Sequence, residues 1–121
     1  MDIECISAVT FVTQDMGQSV DFYRTLGFQL LFGGADTRFT SFRAGKSYLN
    51  LTVGSSNQQH SWRGRVIFYT SDVDALYEHA ILHGLRPDTE PRNAEWGERF
   101  FHLTDPDGHQ ISFAKPFGSR A

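Results

Sequence analysis

A single cysteine in 121 residues leaves no partner for an internal disulfide, so burial alone must hold the fold. That residue, Cys5, lies in a short apolar stretch, where a buried, inert thiol is expected rather than a nucleophile. Positive charge is also scarce. Eleven Lys and Arg stand against fourteen Asp and Glu, the net charge is -3, and no segment gathers basic residues. Nucleic acid and anionic membranes are therefore not expected as partners. No apolar run approaches the roughly 20 residues of a membrane span. Met1-Asp2-Ile3-Glu4 has neither the positive nor the apolar region of a secretion signal, and a cytoplasmic location is expected. There is no Gly-x-Ser-x-Gly for a serine nucleophile, and Cys5 has no evident base. Gly33-Gly34 and Gly54 precede no helix, so they form no phosphate cradle. His60, His79, His83 and His109 show no ligand spacing; His79 and His83 are one helical turn apart but lack a third ligand, which suits an exposed helix face.

What the chain does have is enough apolar content, 40%, for one ordinary core, and eleven phenylalanines, some of which are expected to line a cavity or a subunit interface. It also repeats itself. Ala8 to Val12 alternates like a half-buried strand, Asp15 caps a helix with Met16, Val20 and Tyr23 on one face, and Gly27 stops it. Asp15 recurs as Asp72, Gly27 as Gly84 and Phe28 as Leu85, a constant spacing of 57 residues. Between them Arg65 to Tyr69 reads as a strand, and Val73, Leu76, Tyr77, Ala80 and Ile81 as the apolar face of a second helix.

The remainder of each copy is strand-like. Phe28 to Gly34, Arg38 to Ala44 and Tyr48 to Val53 follow the first helix, with Gly45-Lys46 as a turn. After the second helix, Leu85 to Thr89 is broken by Pro87 and Pro91 and reads as a short edge strand. Arg99 to Thr104, the turn Asp105-Pro106-Asp107-Gly108 and Gln110 to Ala114 complete the copy, with a few extra residues expected in Glu90 to Trp96. The polar stretch 54–64 reads as a linker between module one, about 6–53, and module two, about 65–116. The expected fold is α+β: two β-α-β-β-β modules in tandem, forming a curved mixed sheet around a cleft that would hold the site.

Two motifs carry a resemblance. Asp15-Met16-x-x-Ser19-Val20-x-Phe22-Tyr23-x-x-Leu26-Gly27-Phe28 is similar to the first-helix signature, and Asp105-Pro106-Asp107-Gly108-His109-Gln110-Ile111-Ser112-Phe113 to the closing turn and strand, of the glyoxalase/bleomycin-resistance/extradiol-dioxygenase family. With the repeat, the resemblance runs from about Ile6 to Pro116. It implies a homodimer, and a fold shared by metal-dependent lyases, isomerases, dioxygenases and thiol transferases and by metal-free drug-binding proteins. It also implies four metal-ligand positions, which here hold Ala8, Asn50, Arg65 and Ser112. That set does not supply the three or so nitrogen or carboxylate ligands of a catalytic divalent site, so no metal and no cofactor are expected.

Alternation along the strands puts Thr10, Val12, Tyr48, Thr52, Ile67, Tyr69, Gln110 and Ala114 on the same face as those four positions. The resemblance adds Phe100 and His102, and the repeat adds Arg38 and Thr40. The expected pocket is aromatic, anchored by Arg65, His102, Asn50 and Arg38, with Ser112, Phe100, Tyr48 and Tyr69 in its wall and Trp62 and Trp96 in flanking loops. Arg65 suits a carboxylate, a phosphate or another planar anion. Plainer readings stand beside these: an ion pair of Arg65 with Glu98 or Glu4, a structural role for His102, and dimer packing for the tryptophans. The chain thus reads as a metal-independent small-molecule binding protein of the bleomycin-resistance type, sequestering an aromatic or anionic ligand. The alternatives are a lyase or dioxygenase with displaced metal ligands, recruiting His102 and Glu98, and a regulatory module whose cleft is closed by packing.

Overall fold

The structure, a computed structural model, describes residues 2–54 and 65–117. The chain divides into two compact units, Met1–Gln59 and His60–Ala121. The first contains β1 (Ala8–Thr13), α1 (Met16–Thr25), β2 (Gln29–Phe32), β3 (Phe39–Ala44) and β4 (Ser47–Val53), in one sheet of order β1-β4-β3-β2. The second contains β5 (Arg65–Tyr69), α2 (Val73–Leu82), β6 (Arg92–Asn93), β7 (Glu98–Thr104) and β8 (Gln110–Pro116), in the order β5-β8-β7-β6. Both sheets are mixed, since β1 runs parallel to β4 and β5 parallel to β8 while the remaining pairs are antiparallel. The tandem β-α-β-β-β architecture is as expected.

The 57-residue repeat has a physical basis at both ends of the helices. The Asp15 carboxylate accepts the Gln18 N–H at 3.0 Å and the Asp72 carboxylate accepts the Ala75 N–H at 3.0 Å, each satisfying a helix-start donor that has no partner within the helix. At the other end Gly27 and Gly84 take φ of 98° and 87°, a left-handed turn that brings the Phe28 N–H onto the Tyr23 carbonyl and the Leu85 N–H onto the Ala80 carbonyl. Each helix then lies on one face of its own sheet. In module one Tyr23 packs edge-on to Phe28 at 5.4 Å and against Phe42 at 6.0 Å, over buried Leu49 and Leu51. In module two Tyr77 meets Phe101 edge-on at 5.5 Å, beside buried Leu103, Ile111 and Phe113. The opposite sheet faces carry exposed apolar residues, among them Val12, Phe39 and Tyr48 in one module and Ile67 and Tyr69 in the other.

Two expectations fail here. Leu85 to Thr89 is not a strand; the edge of module two is the two-residue β6, within the segment expected to hold extra residues. Pro87 has no N–H to give a ladder, and the segment is instead tied to β7 by the Asp88 N–H on the His102 carbonyl and the His102 N–H on Thr89 Oγ1. Cys5 is exposed rather than buried, because residues 2–7 precede β1 and lie outside every helix and strand.

Candidate functional site

The chemistry gathers on the open face of module two. Register places Arg65 beside Gln110, Ile67 beside Ser112 and Tyr69 beside Ala114, and continues onto β7 with Ser112 beside His102 and Ala114 beside Phe100. Alternation sends Ile111, Phe113, Phe101 and Leu103 to the helix side, so the polar set is left facing away from the core. Sequence reasoning had Arg65, His102, Ser112, Phe100 and Tyr69 on one face, and the fold brings them together there.

Arg65 is held against the sheet by neutral acceptors. Its Nη1 donates to the Ile111 carbonyl at 2.8 Å and to Ser112 Oγ at 3.0 Å, and its Nη2 to Gln110 Oε1 at 3.0 Å. Partial burial lowers its pKa, with the Asp88 charge acting in the opposite sense; an arginine nonetheless stays charged. Among the described residues no carboxylate lies within ion-pair distance of this guanidinium. The alternative of an ion pair with Glu98 is therefore not realised. Arg65 sits beside Gln110 at one end of β8 and Glu98 beside Pro116 at the other, six residues away, or roughly 20 Å along a strand.

Glu98 has a different task. Only 7% exposed, it accepts the Trp96 Nε1–H at 2.9 Å and a short hydrogen bond from the Tyr69 hydroxyl. Two rings that are 64% and 62% exposed are thus tied to one buried carboxylate. Trp96 stacks on Phe100 at 5.8 Å, Phe100 lies 4.9 Å from the His102 ring, and the Arg92 guanidinium covers Phe100 at 5.5 Å. Sequence reasoning missed Arg92, since β6 falls in a segment with no strand pattern. His102 Nδ1 lies 2.6 Å from Ser112 Oγ. Burial lowers the His102 pKa, and the Arg65 and Arg92 charges lower it further against the opposing Asp88, which favours the neutral ring over the charged one.

Module one presents the same frame with different contents. Ala8, Thr10 and Val12 pair with Tyr48, Asn50 and Thr52, which pair in turn with Arg43, Ser41 and Phe39. Asn50 Nδ2 donates to Thr10 Oγ1 at 3.3 Å, and Arg43 lies over Tyr48 at 5.5 Å. Arg38 and Thr40 do not share this face. Thr40 is buried on the helix side beside Leu51, and Arg38 precedes β3. The turn between β3 and β4 has two residues and that between β7 and β8 has five, so Phe39, not Arg38, is the counterpart of Phe100, and a one-residue slip exchanges the faces. Trp62 lies outside the described residues.

One cluster was not read from spacing. Asp105, Asp107 and His109 bring their ligand atoms within 4.8 Å of one another. The Asp105 carboxylate accepts the backbone N–H of Asp107 at 3.0 Å and of His109 at 2.8 Å, and lies 2.8 Å from His109 Nδ1. These bonds account for the cluster as the lock of the turn between β7 and β8.

A family profile described as the Glyoxalase/Bleomycin resistance protein/Dioxygenase superfamily matches residues 6–113. The chain belongs to that superfamily. No protein of curated function matches it in sequence. Solved structures similar to it include TioX from Micromonospora sp. ML1, at 22% identity and TM-score 0.75, with 94% of this chain and 100% of that one covered. A superfamily member from Sphaerobacter thermophilus DSM 20745 is 25% identical with TM-score 0.72, covering 93% and 97% of the two chains. A lactoylglutathione lyase from Agrobacterium tumefaciens is 16% identical with TM-score 0.75, covering 94% and 95%. At the positions where the resemblance implies metal ligands, module one holds Ala8 and Asn50 and module two holds Arg65 and Ser112, and none of these side chains is an imidazole, a carboxylate or a thiolate; the Ser112 hydroxyl already lies between Arg65 and His102.

Proposed function

We propose that this superfamily member is a metal-independent small-molecule binding protein of the bleomycin-resistance type, acting in the cytoplasm as a homodimer, which holds an anionic or aromatic ligand on the open face of module two. The observation that carries the reading is Arg65, a part-buried cation whose partners among the described residues are all neutral. Those residues use three of its five N–H groups, leaving two that no other described residue takes. A charge at this depth gains more from an anion than one in free solution does, because the surrounding dielectric is lower. The rings of Phe100 and Trp96, next along the same face, offer apolar surface to the rest of the molecule.

The test joins metal analysis to ligand titration. Protein purified without chelator is expected to hold no stoichiometric metal and to show no thermal shift with divalent ions from manganese to zinc. Benzoate and inorganic phosphate are expected to stabilise it, and Arg65→Ala to weaken that binding about 10- to 100-fold, the value of a charge-assisted hydrogen bond or two. A near-stoichiometric metal, with stabilisation of about 2 kcal/mol or more at saturating ion, would overturn the reading and favour a metal-dependent enzyme.

A further inference from the structure

We infer that Ser112 is a positioning residue which holds His102 with its proton on Nε2, so that Arg65 and His102 present hydrogen-bond donors to the ligand, and that the ligand class selected is a flat aromatic monocarboxylate. The inference rests on the proposed binding face and narrows what that face takes.

The argument follows one hydroxyl. Ser112 is 2% exposed, and its Oγ has two partners among the described residues, Arg65 Nη1 at 3.0 Å and His102 Nδ1 at 2.6 Å. A guanidinium can only donate, so Oγ is the acceptor toward Arg65. The hydroxyl proton then has one acceptor within reach, His102 Nδ1. Were Nδ1 protonated instead, the buried hydroxyl proton would have no acceptor among the described residues, an arrangement that native interiors avoid. The neutral ring therefore carries its proton on Nε2, for which no described residue is a partner. The tautomer is assigned by the chain of donors from Arg65 through Ser112 to His102.

What remains for a ligand is one-sided. Two N–H groups of Arg65 and the Nε2–H of His102 are donors, and Asp88, whose charge both residues feel, accepts from Thr104 Oγ1 at 2.7 Å. A carboxylate satisfies these donors by accepting, and its single charge balances one guanidinium beside a neutral imidazole. A neutral amide would set its own N–H groups against them. Beyond His102 the rings continue as Phe100 at 4.9 Å and Trp96 at 5.8 Å, the latter interplanar by 25° and anchored through its indole N–H to Glu98. A ligand whose carboxylate lies at Arg65 thus has stacking surface next to it, already ordered before binding.

The experiment titrates the full chain with 2-naphthoate, 2-naphthamide and inorganic phosphate, and reads the His102 tautomer by nitrogen-15 NMR. The expected result is an Nε2-protonated ring, naphthoate bound at least about tenfold more tightly than naphthamide or phosphate, and a loss of about tenfold for naphthoate in Ser112→Ala with a mixed tautomer. Ser112→Thr, which keeps the hydroxyl, is expected to restore both readouts. An Nδ1-protonated ring in the wild type, or naphthamide bound as tightly as naphthoate, overturns this inference while leaving the anion site standing. Binding of neither naphthoate nor phosphate overturns the reading of the face as a binding site, and this inference with it.

Discussion

Replacing Asp105 by Asn removes one charge from the turn that joins the two strands bearing His102 and Ser112. The carboxylate accepts two backbone N–H groups, at 3.0 and 2.8 Å, and pairs with His109 Nδ1 at 2.8 Å while its own side chain is fully buried. Asn keeps an acceptor for the backbone donors but loses the charge assistance, about 1 kcal/mol for each bond and so about 2 kcal/mol together. The ion pair adds a part that depends on pH. Burial of the His109 ring lowers its pKa, but the hydrogen bond and charge of Asp105, with Asp107 further off, outweigh burial and the net shift is upward. A raised folded pKa stabilises fully below the unfolded value of about 6.5 and loses that stabilisation as pH rises through the folded value. The deficit of Asp105→Asn should therefore be largest below about pH 6.5 and fall toward the roughly 2 kcal/mol of the backbone bonds as pH rises through the raised His109 value. Urea melts of both proteins at constant ionic strength give the comparison. A deficit that is flat across this range, or that grows with pH, would refute the pairing.

Arg65→Gln should raise the His102 pKa toward its ordinary value without reaching it, since burial and Arg92 still lower it after the Arg65 charge is gone; the histidine ring proton resonance followed against pH reads this directly, and a further fall would contradict the assignment. Gly33→Ala should cost about 2 kcal/mol or more, from a φ of 84° that disfavours a side chain and a Cβ that would fall 2.3 Å from the Phe39 carbonyl oxygen; a melt unchanged from wild type would show that the β2–β3 connection shifts at little cost.

Much of the fold was legible because it is built from local rules that the chain states twice. An aspartate that accepts a helix-start N–H, a glycine that turns left-handed after the helix, and apolar residues at helical spacing recur 57 residues apart, and both helices form between their aspartate and glycine as read, although Ile81 of the second is exposed. The face of β5 and β8 was legible too, since alternation needs only a correct starting residue and the resemblance supplied it, as it also supplied Phe100 and His102 on β7. β3 was harder. Its parity depends on how many residues the following turn takes, and a two-residue turn in place of a five-residue one moved Thr40 into the core and Phe39 to the open face. The edge strand shifted from Leu85–Thr89 to Arg92–Asn93 because prolines remove ladder donors, which tells where pairing fails but not where it resumes.

Partnerships between side chains belong to the tertiary structure alone. By itself the sequence determined the superfamily, the two modules, the helix caps and the presence of Arg65 at a position where the resemblance implies a metal ligand. It left open whether that arginine meets Glu98, because both lie on the same face and only the register shows them at opposite ends of β8. The fold gave Glu98 to Trp96 and Tyr69, and Ser112 to Arg65 and His102. Hydrogen bonds form over about 3 Å, a distance set by strand pairing between residues far apart in the chain, and composition and spacing carry no measure of it.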